Sequence, residues 1–215
     1  MAVELVQTDG IFALDGGEWE VTNNIWLLGD EKEVLVFDAA HDHVPIVEAV
    51  NGRRVLGIVL THGHNDHINA AIALRDEVDA PILLHPADRM LWDQVYPGNS
   101  PDHDIEPGAV LRCGEHALTV LHTPGHSPGS CCFYDGSDGR VLSGDTLFCG
   151  GPGATGRSFS DEPTILRSIR DRLLTLPSST TVHTGHGGNT TIGDEIERVQ
   201  DRIAELGLGP DSSGR

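Results

Sequence analysis

Seven consecutive residues, Thr61-His62-Gly63-His64-Asn65-Asp66-His67, constrain this chain more tightly than any other segment, because three imidazoles and a carboxylate follow directly on the apolar run Val55–Leu60. A short run rich in branched aliphatic residues and bounded by turn formers reads as a buried strand. The cluster therefore falls at a strand end, where one turn can converge its donors. Imidazole suits zinc, iron and other first-row metals, and Asp66 adds the negative charge that a divalent ion needs. A lone histidine is as readily a core or surface residue, but this density points to a metal.

Two further histidines sit in glycine-flanked turns, in Thr123-Pro124-Gly125-His126-Ser127-Pro128-Gly129 and in Thr184-Gly185-His186-Gly187. Glycine allows close approach of the backbone there. Ser143-Gly144-Asp145-Thr146-Leu147 places a carboxylate just after the strand-like Val141–Leu142. Alone, an aspartate after glycine is a turn residue; beside the histidines it joins the candidate donors.

Around these motifs, strand-like runs at Ile25–Leu28, Val34–Phe37, Val55–Leu60 and Ile82–Leu84 alternate with helical patches. The helices are expected from Pro45 to Val50, Asn69 to Val78 and Pro86 to Val95, the last opened by a proline suited to a first turn. Residues 97–107 are polar and turn-rich, a surface loop. Runs at Ala109–Cys113, Ala117–Leu121, Ser130–Tyr134 and Val141–Leu142 then predict an antiparallel meander. A helix over 162–176, stopped by Pro177, and one from Gly193 to Leu206 complete a single domain over 1–206, with 207–215 as a flexible tail. At 215 residues such a domain buries a core without disulfides.

Composition narrows the function. Asp+Glu total 33 against Lys+Arg 14, a net charge of −19 that offers no footprint for nucleic acid. A small anionic substrate stays open, because metal ions reverse the local field. No apolar run approaches the roughly 20 residues of a membrane span, and Glu4 stands where a secretory signal carries basic residues, so the expectation is a cytoplasmic protein with no membrane partner. The four cysteines form no CxxC pair and read as buried thiols, with Cys131 and Cys132 on opposite faces of a strand. No signal for an oligomeric state is present.

The succession HxHxDH, PGH, GD and GH, from about Asp38 to Gly187, resembles the metallo-β-lactamase superfamily, and within it the glyoxalase II-like (hydroxyacylglutathione hydrolase-like) thioester hydrolases. The resemblance implies an α+β fold, a four-layer αβ/βα sandwich with metals at one edge. It implies His62, His64 and His126 as ligands of one ion, Asp66, His67 and His186 as ligands of a second, and Asp145 between them. Asp38 would support the histidine turn from behind. Two divalent ions are implied, zinc first, with iron or manganese as alternatives.

Such a centre lowers the pKa of a shared water from 15.7 towards about 7, and the resulting hydroxide attacks a substrate carbonyl polarised by the metals. Asp66 would orient that hydroxide, and a thiolate would leave without a strong general acid. The expected substrate is a thioester of a small thiol. Larger glyoxalase II enzymes append a helical domain that grips the thiol; few residues follow His186, so that surface does not transfer. Arg157, in a glycine-rich loop after Asp145, is a candidate clamp for a substrate carboxylate, or else a surface residue paired with Asp161 or Glu162.

Other readings remain. A persulfide (sulfur) dioxygenase would place a single iron on His62, His126 and Asp145, two histidines and a carboxylate. A lactonase or other ester hydrolase differs only in its pocket. A β-lactamase is disfavoured by Asp145, a nuclease by the charge, and a scaffold with a degenerate site by the presence of every ligand type. His41, His43, His85, His103, His116, His122 and His183 lack motif support and read as structural or exposed.

Overall fold

The computed structural model describes residues 3–209. Its first half runs β1 (Glu4–Leu14), β2 (Gly17–Gly29), β3 (Glu33–Phe37), α1 (Val44–Val50), β4 (Arg54–Val59), α2 (Asn65–Ile68), α3 (Ala71–Val78) and β5 (Ile82–Leu84). A 3-10 turn, Pro86–Asp88, leads into α4 (Arg89–Val95), and β6 (His103–Asp104) ends this half. The six strands form one sheet in sequence order, antiparallel from β1 to β3 and parallel from β3 to β6.

The second half runs β7 (Val110–Cys113), β8 (His116–His122), β9 (Cys131–Asp135) and β10 (Arg140–Gly144), then the ribbon β11 (Leu147–Phe148) and β12 (Gly151–Pro152). It continues with α5 (Glu162–Ser168), a π turn (Ile169–Leu173), β13 (Thr181–Thr184), β14 (Thr190–Thr191) and α6 (Ile192–Glu205). Its main sheet has the order β14-β13-β10-β9-β8-β7, with β10 and β13 parallel and the other pairs antiparallel.

The period of two along each strand sorts side chains into layers. Ile25, Leu27, Val34 and Val36 face outward onto Ile46, Leu74 and Trp92 of the first helical layer. Trp26, Leu28, Leu35 and Phe37 face inward onto Leu118, Phe133 and Leu142 of the other sheet, and the Phe37 and Phe133 rings meet across the sheets at 5.1 Å. Cys131 points into that central layer and Cys132 into the outer layer beneath α5 and α6, with Ile165, Val199 and Ile203. The result is the expected α+β four-layer sandwich. Cutting Phe37 back to alanine would cost about 3–5 kcal/mol, typical of a large buried aromatic.

Several local expectations change. β1 is a full strand although its sequence is polar: it pairs with β2 through a two-residue turn, Asp15-Gly16, with both φ angles positive, and much of this hairpin is exposed. The helix expected from Asn69 starts earlier and breaks into α2 and α3. The helix expected over 162–176 ends at Leu173, because Leu174 N bonds Ile169 O in a π turn. The loop over 97–107 includes β6. Of the expected tail, 210–215 lie outside the described residues. Cys149 is exposed, unlike the other three thiols. Among the described residues no helix is long and apolar enough to cross a membrane.

Candidate metal centre

Each candidate donor stands on a turn leaving a central strand, all at one edge of the sandwich. His62 and His64 follow β4, Asp66 and His67 open the short α2, His126 lies between β8 and β9, Asp145 follows β10 and His186 follows β13. Hydrogen bonds between the sheets fix these turns. Cys131 N donates to Thr61 O at 2.8 Å, while Asn24 N donates to Gly185 O at 2.8 Å and Trp26 Nε1 to Thr184 O at 2.9 Å.

Two donor sets result. His62 Nε2 lies 3.0 Å from His64 Nδ1, which lies 2.9 Å from His126 Nε2. His67 Nε2 lies 3.1 Å from His186 Nε2, with Asp66 Oδ2 at 3.6 Å from the first and 3.3 Å from the second. Asp145 reaches both sets: Oδ1 is 3.4 Å from His67 Nε2, and Oδ2 is 3.4 Å from His186 Nε2 and 3.6 Å from His126 Nε2. His62-His64-His126, His62-His67-Asp145 and Asp66-His67-His186 are each close enough to hold an ion.

The far ring nitrogens show which atoms are free to ligate. His67 Nδ1 donates to Asp38 Oδ2 at 2.8 Å, His126 Nδ1 to Ala154 O at 2.9 Å, and His186 Nδ1 to Thr22 O at 2.8 Å. His62 Nδ1 meets Thr61 Oγ1 at 3.1 Å, whose own proton goes to Asp38 Oδ2 at 3.0 Å. The Nε2 atoms of His67 and His186 are thereby left as lone pairs aimed at one another, an arrangement that positive charge must relieve, while those of His62 and His126 both face His64 Nδ1. Outer oxygen partners of this kind orient metal-binding imidazoles. Asp66 Oδ1, Asp145 Oδ1 and His64 Nε2 are buried and make no hydrogen bond, which is rare away from a functional centre. Nitrogen and carboxylate donors in these sets fit zinc or iron.

The two halves differ electrically. In the three-histidine half, burial and the neighbouring imidazoles keep His62 well below its ordinary range and hold His64 at about 3, so both are neutral donors at neutral pH. In the other half burial opposes charge on His186, but Asp145 and Asp66 outweigh it and bring the imidazole up to about 10. His67 is raised well above its usual value against the same burial penalty, by Asp145, Asp66 and Asp38. Burial pushes the Asp145 carboxyl up, but His67 and His186 prevail and hold it well below the carboxylate range; Asp66 is lowered likewise.

Asp38 closes the centre from behind. Beyond the contacts above, its Oδ1 accepts from Thr61 N at 2.8 Å. The structure adds residues that the sequence motifs did not mark. Asn23 Nδ2 donates to Asp66 Oδ2 at 3.1 Å, and Asn23 Oδ1 meets His41 Nε2 at 2.8 Å, which brings His41 into the surround of the second set. Asp88, fully buried, accepts from both histidine turns. The remaining unassigned histidines lie elsewhere: His85 stacks on His122 at 4.2 Å, His116 pairs with Asp135 at 2.9 Å, and His183 packs on Trp26 at 4.6 Å.

Arg157 pairs with neither Asp161 nor Glu162. Asp161 Oδ2 caps α5 through Thr164 N, and Glu162 binds Arg202 at 2.7 Å. The guanidinium carbon of Arg157 instead lies 3.9 Å over the Trp19 ring and 5.1 Å from that of Phe12. Phe12 in turn sits 5.3 Å from the His64 ring. Arg157, Phe12, His64, His126 and Ser160 line a narrow cleft into the three-histidine half.

A family model described as the metallo-β-lactamase superfamily matches residues 19–186. A Bacillus subtilis protein described as the probable metallo-hydrolase YqgX is 36% identical over 189 residues, spanning 81% of this chain and 90% of the relative. The hydroxyacylglutathione hydrolase GloC of Haemophilus influenzae is 30% identical over 186 residues, 80% of this chain and 87% of the relative. Among solved structures, the BLEG-1 B3 metallo-β-lactamase is similar at TM-score 0.74 and 32% identity, over 88% of this chain and 97% of that one. TTHA1623 in a di-iron-bound form is similar at TM-score 0.73 and 33% identity, over 81% and 92%.

Proposed function

The chain belongs to the metallo-β-lactamase superfamily, and from that premise we propose that it hydrolyses a thioester of a small thiol at a centre of two divalent ions. The observation that carries this reading is Asp145, whose two oxygens lie within 3.4–3.6 Å of nitrogens from both donor sets. His62, His64 and His126 would hold one ion, Asp66, His67 and His186 the other, and Asp145 both. Two such ions supply Lewis acidity to a carbonyl and bring a water's pKa towards about 7.

The chain's own groups supply the rest. Asp66 and Asp145 are held ionised, and Asp66 Oδ1 has no other partner, so it offers an atom that accepts a hydrogen bond from water and orients it. Expulsion of a thiolate needs no strong general acid, which suits a centre without one. Arg157, fixed over Trp19, would meet an anionic group on the substrate as it enters beside His64. Similarity to GloC supports a thioester, and similarity to TTHA1623 in its di-iron-bound form keeps iron beside zinc and manganese as the metal.

The test is metal analysis of protein purified without added metal, run beside assays on S-lactoylglutathione, other acylated thiols, a lactone, a β-lactam and a thiol persulfide. Thioester cleavage, abolished in Asp145→Ala, is expected with two ions per chain. Oxygen consumption on the persulfide with one iron and no thioester cleavage would overturn it. Arg157→Met should raise KM for carboxylate-bearing thioesters on the order of 10-fold with little change in kcat, the loss of one charge-assisted contact.

A further inference from the structure

Asp88 ends the 3-10 turn before α4, outside every motif that supplies a donor. Its carboxylate nevertheless joins the two turns that supply the three-histidine half. Oδ2 accepts from Gly63 N, the peptide between His62 and His64, at 2.8 Å, and from Ser127 Oγ, beside His126, at 2.6 Å. Oδ1 accepts from Gly129 N at 2.6 Å. Both glycines are required by this approach: a Cβ on Gly129 would stand 2.6 Å from Asp88 Cγ, and one on Gly63 would stand 3.0 Å from Asp88 Cβ. Ser130 Oγ, which accepts from Ser127 N at 3.1 Å, extends the same knot.

No hydrogen bond from Asp88 reaches the Asp66-His67-His186 turns among the described residues; those are supported by Asn23 and by Asp38, which also holds Thr61 behind His62. The three-histidine half also lacks a carboxylate of its own apart from the shared Asp145. We propose that Asp88 is a positioning residue for that half alone: it sets the distance between the His62-His64 turn and the His126 turn, and so the affinity of one of the two metal positions. This rests on the two-ion reading above. Outer carboxylates of this type change metal affinity by about 10–100-fold when removed.

Cobalt(II) titration with chelator competition tests it. In His186→Ala, where the second set is incomplete, adding Asp88→Asn should weaken the remaining ion by roughly 10–100-fold. In His64→Ala, where the three-histidine set is incomplete, adding Asp88→Asn should leave the remaining ion unchanged. Ser127→Ala, which removes one of the three hydrogen bonds and keeps the carboxylate, should give a smaller loss in the His186→Ala background and an altered cobalt absorption spectrum. Equal weakening in both backgrounds, or a lowered Tm with unchanged metal affinity in both, would overturn the proposal. A wild-type chain that binds no ion would instead overturn the two-ion reading.

Discussion

The Nε2 atoms of His67 and His186 face each other across 3.1 Å, each ring having committed its other nitrogen to an oxygen of the protein. Positive charge must sit between them, as a metal ion or as protons. Without an ion, His186 keeps its proton up to about pH 10. Relative to an ordinary imidazole near 6.5, that proton's contribution to the stability of the ion-free protein is complete below about pH 6.5 and fades as the pH rises through about 10.

Metal loading should therefore release protons from this half. His62, held well below its ordinary range, and His64, at about 3, have none to give at neutral pH, so the ligand protons released there should come mainly from the half that holds His186. Calorimetric titrations in buffers of different ionisation enthalpy should show unequal proton release for the two ions, the larger release and the steeper climb of affinity with pH belonging to the ion that His186 holds. Two ions that bind at pH 7 with no proton release would contradict this asymmetry.

Asp38→Asn separates charge from shape. Asp38 adopts a left-handed φ of 65°, which asparagine tolerates and alanine does not. The amide keeps one acceptor oxygen, but it cannot serve His67 Nδ1 and both Thr61 donors together. The variant should fold, and should lose about 10–100-fold in metal affinity by chelator competition. Unaltered affinity would remove Asp38 from the centre.

Gly185→Ala tests how tightly the second set is packed. A Cβ there would stand 2.2 Å from Asp145 Oδ1 and 2.9 Å from His67 Cε1. His67 is held by Asp38, and Asp145 is confined between His67, His126 and His186, so the added methyl should displace a donor. Metal content should fall by one ion or more per chain while the circular dichroism of the fold stays close to wild type. Full occupancy by two ions would show that Asp145 is free to move.

The candidate donors that the structure brings together were legible because each lies in a short pattern with its own turn: the histidine cluster after β4, and single His or Asp residues beside glycines after β8, β10 and β13. The layered sheets were legible where strands carry a buried face on each side, as in Val34–Phe37. What supports the centre was not. Asp88 meets its partners 25, 39 and 41 positions away, and Asn23 meets Asp66 across 43 positions, separations at which no local pattern survives. β1 escaped for a different reason: most of its side chains face solvent or the cleft, so it shows no apolar period, and the hairpin register with β2 holds it. Arg157 was legible as a candidate, but its aromatic seat depends on Phe12 and Trp19 from that unrecognised hairpin.

His183 offers a test of fold stability apart from the donors. It lies in β13 with its ring against Trp26 and its Nδ1 buried without a hydrogen bond. Burial, with a smaller contribution from the charge of Arg140, holds the imidazole down to about 4. An unfolded histidine takes up its proton near 6.5. As the pH falls from about 6.5 towards 4, the unfolded chain gains a proton that the folded ring refuses, and stability drops across that window. His183→Phe keeps a ring against Trp26 and removes both the titration and the unpaired nitrogen. At pH 7.5 its stability should lie within about 1 kcal/mol of wild type or above it. Between pH 6.5 and 4.5 its urea midpoint should fall less than that of wild type, and an equal fall in the two proteins would assign the acid sensitivity elsewhere.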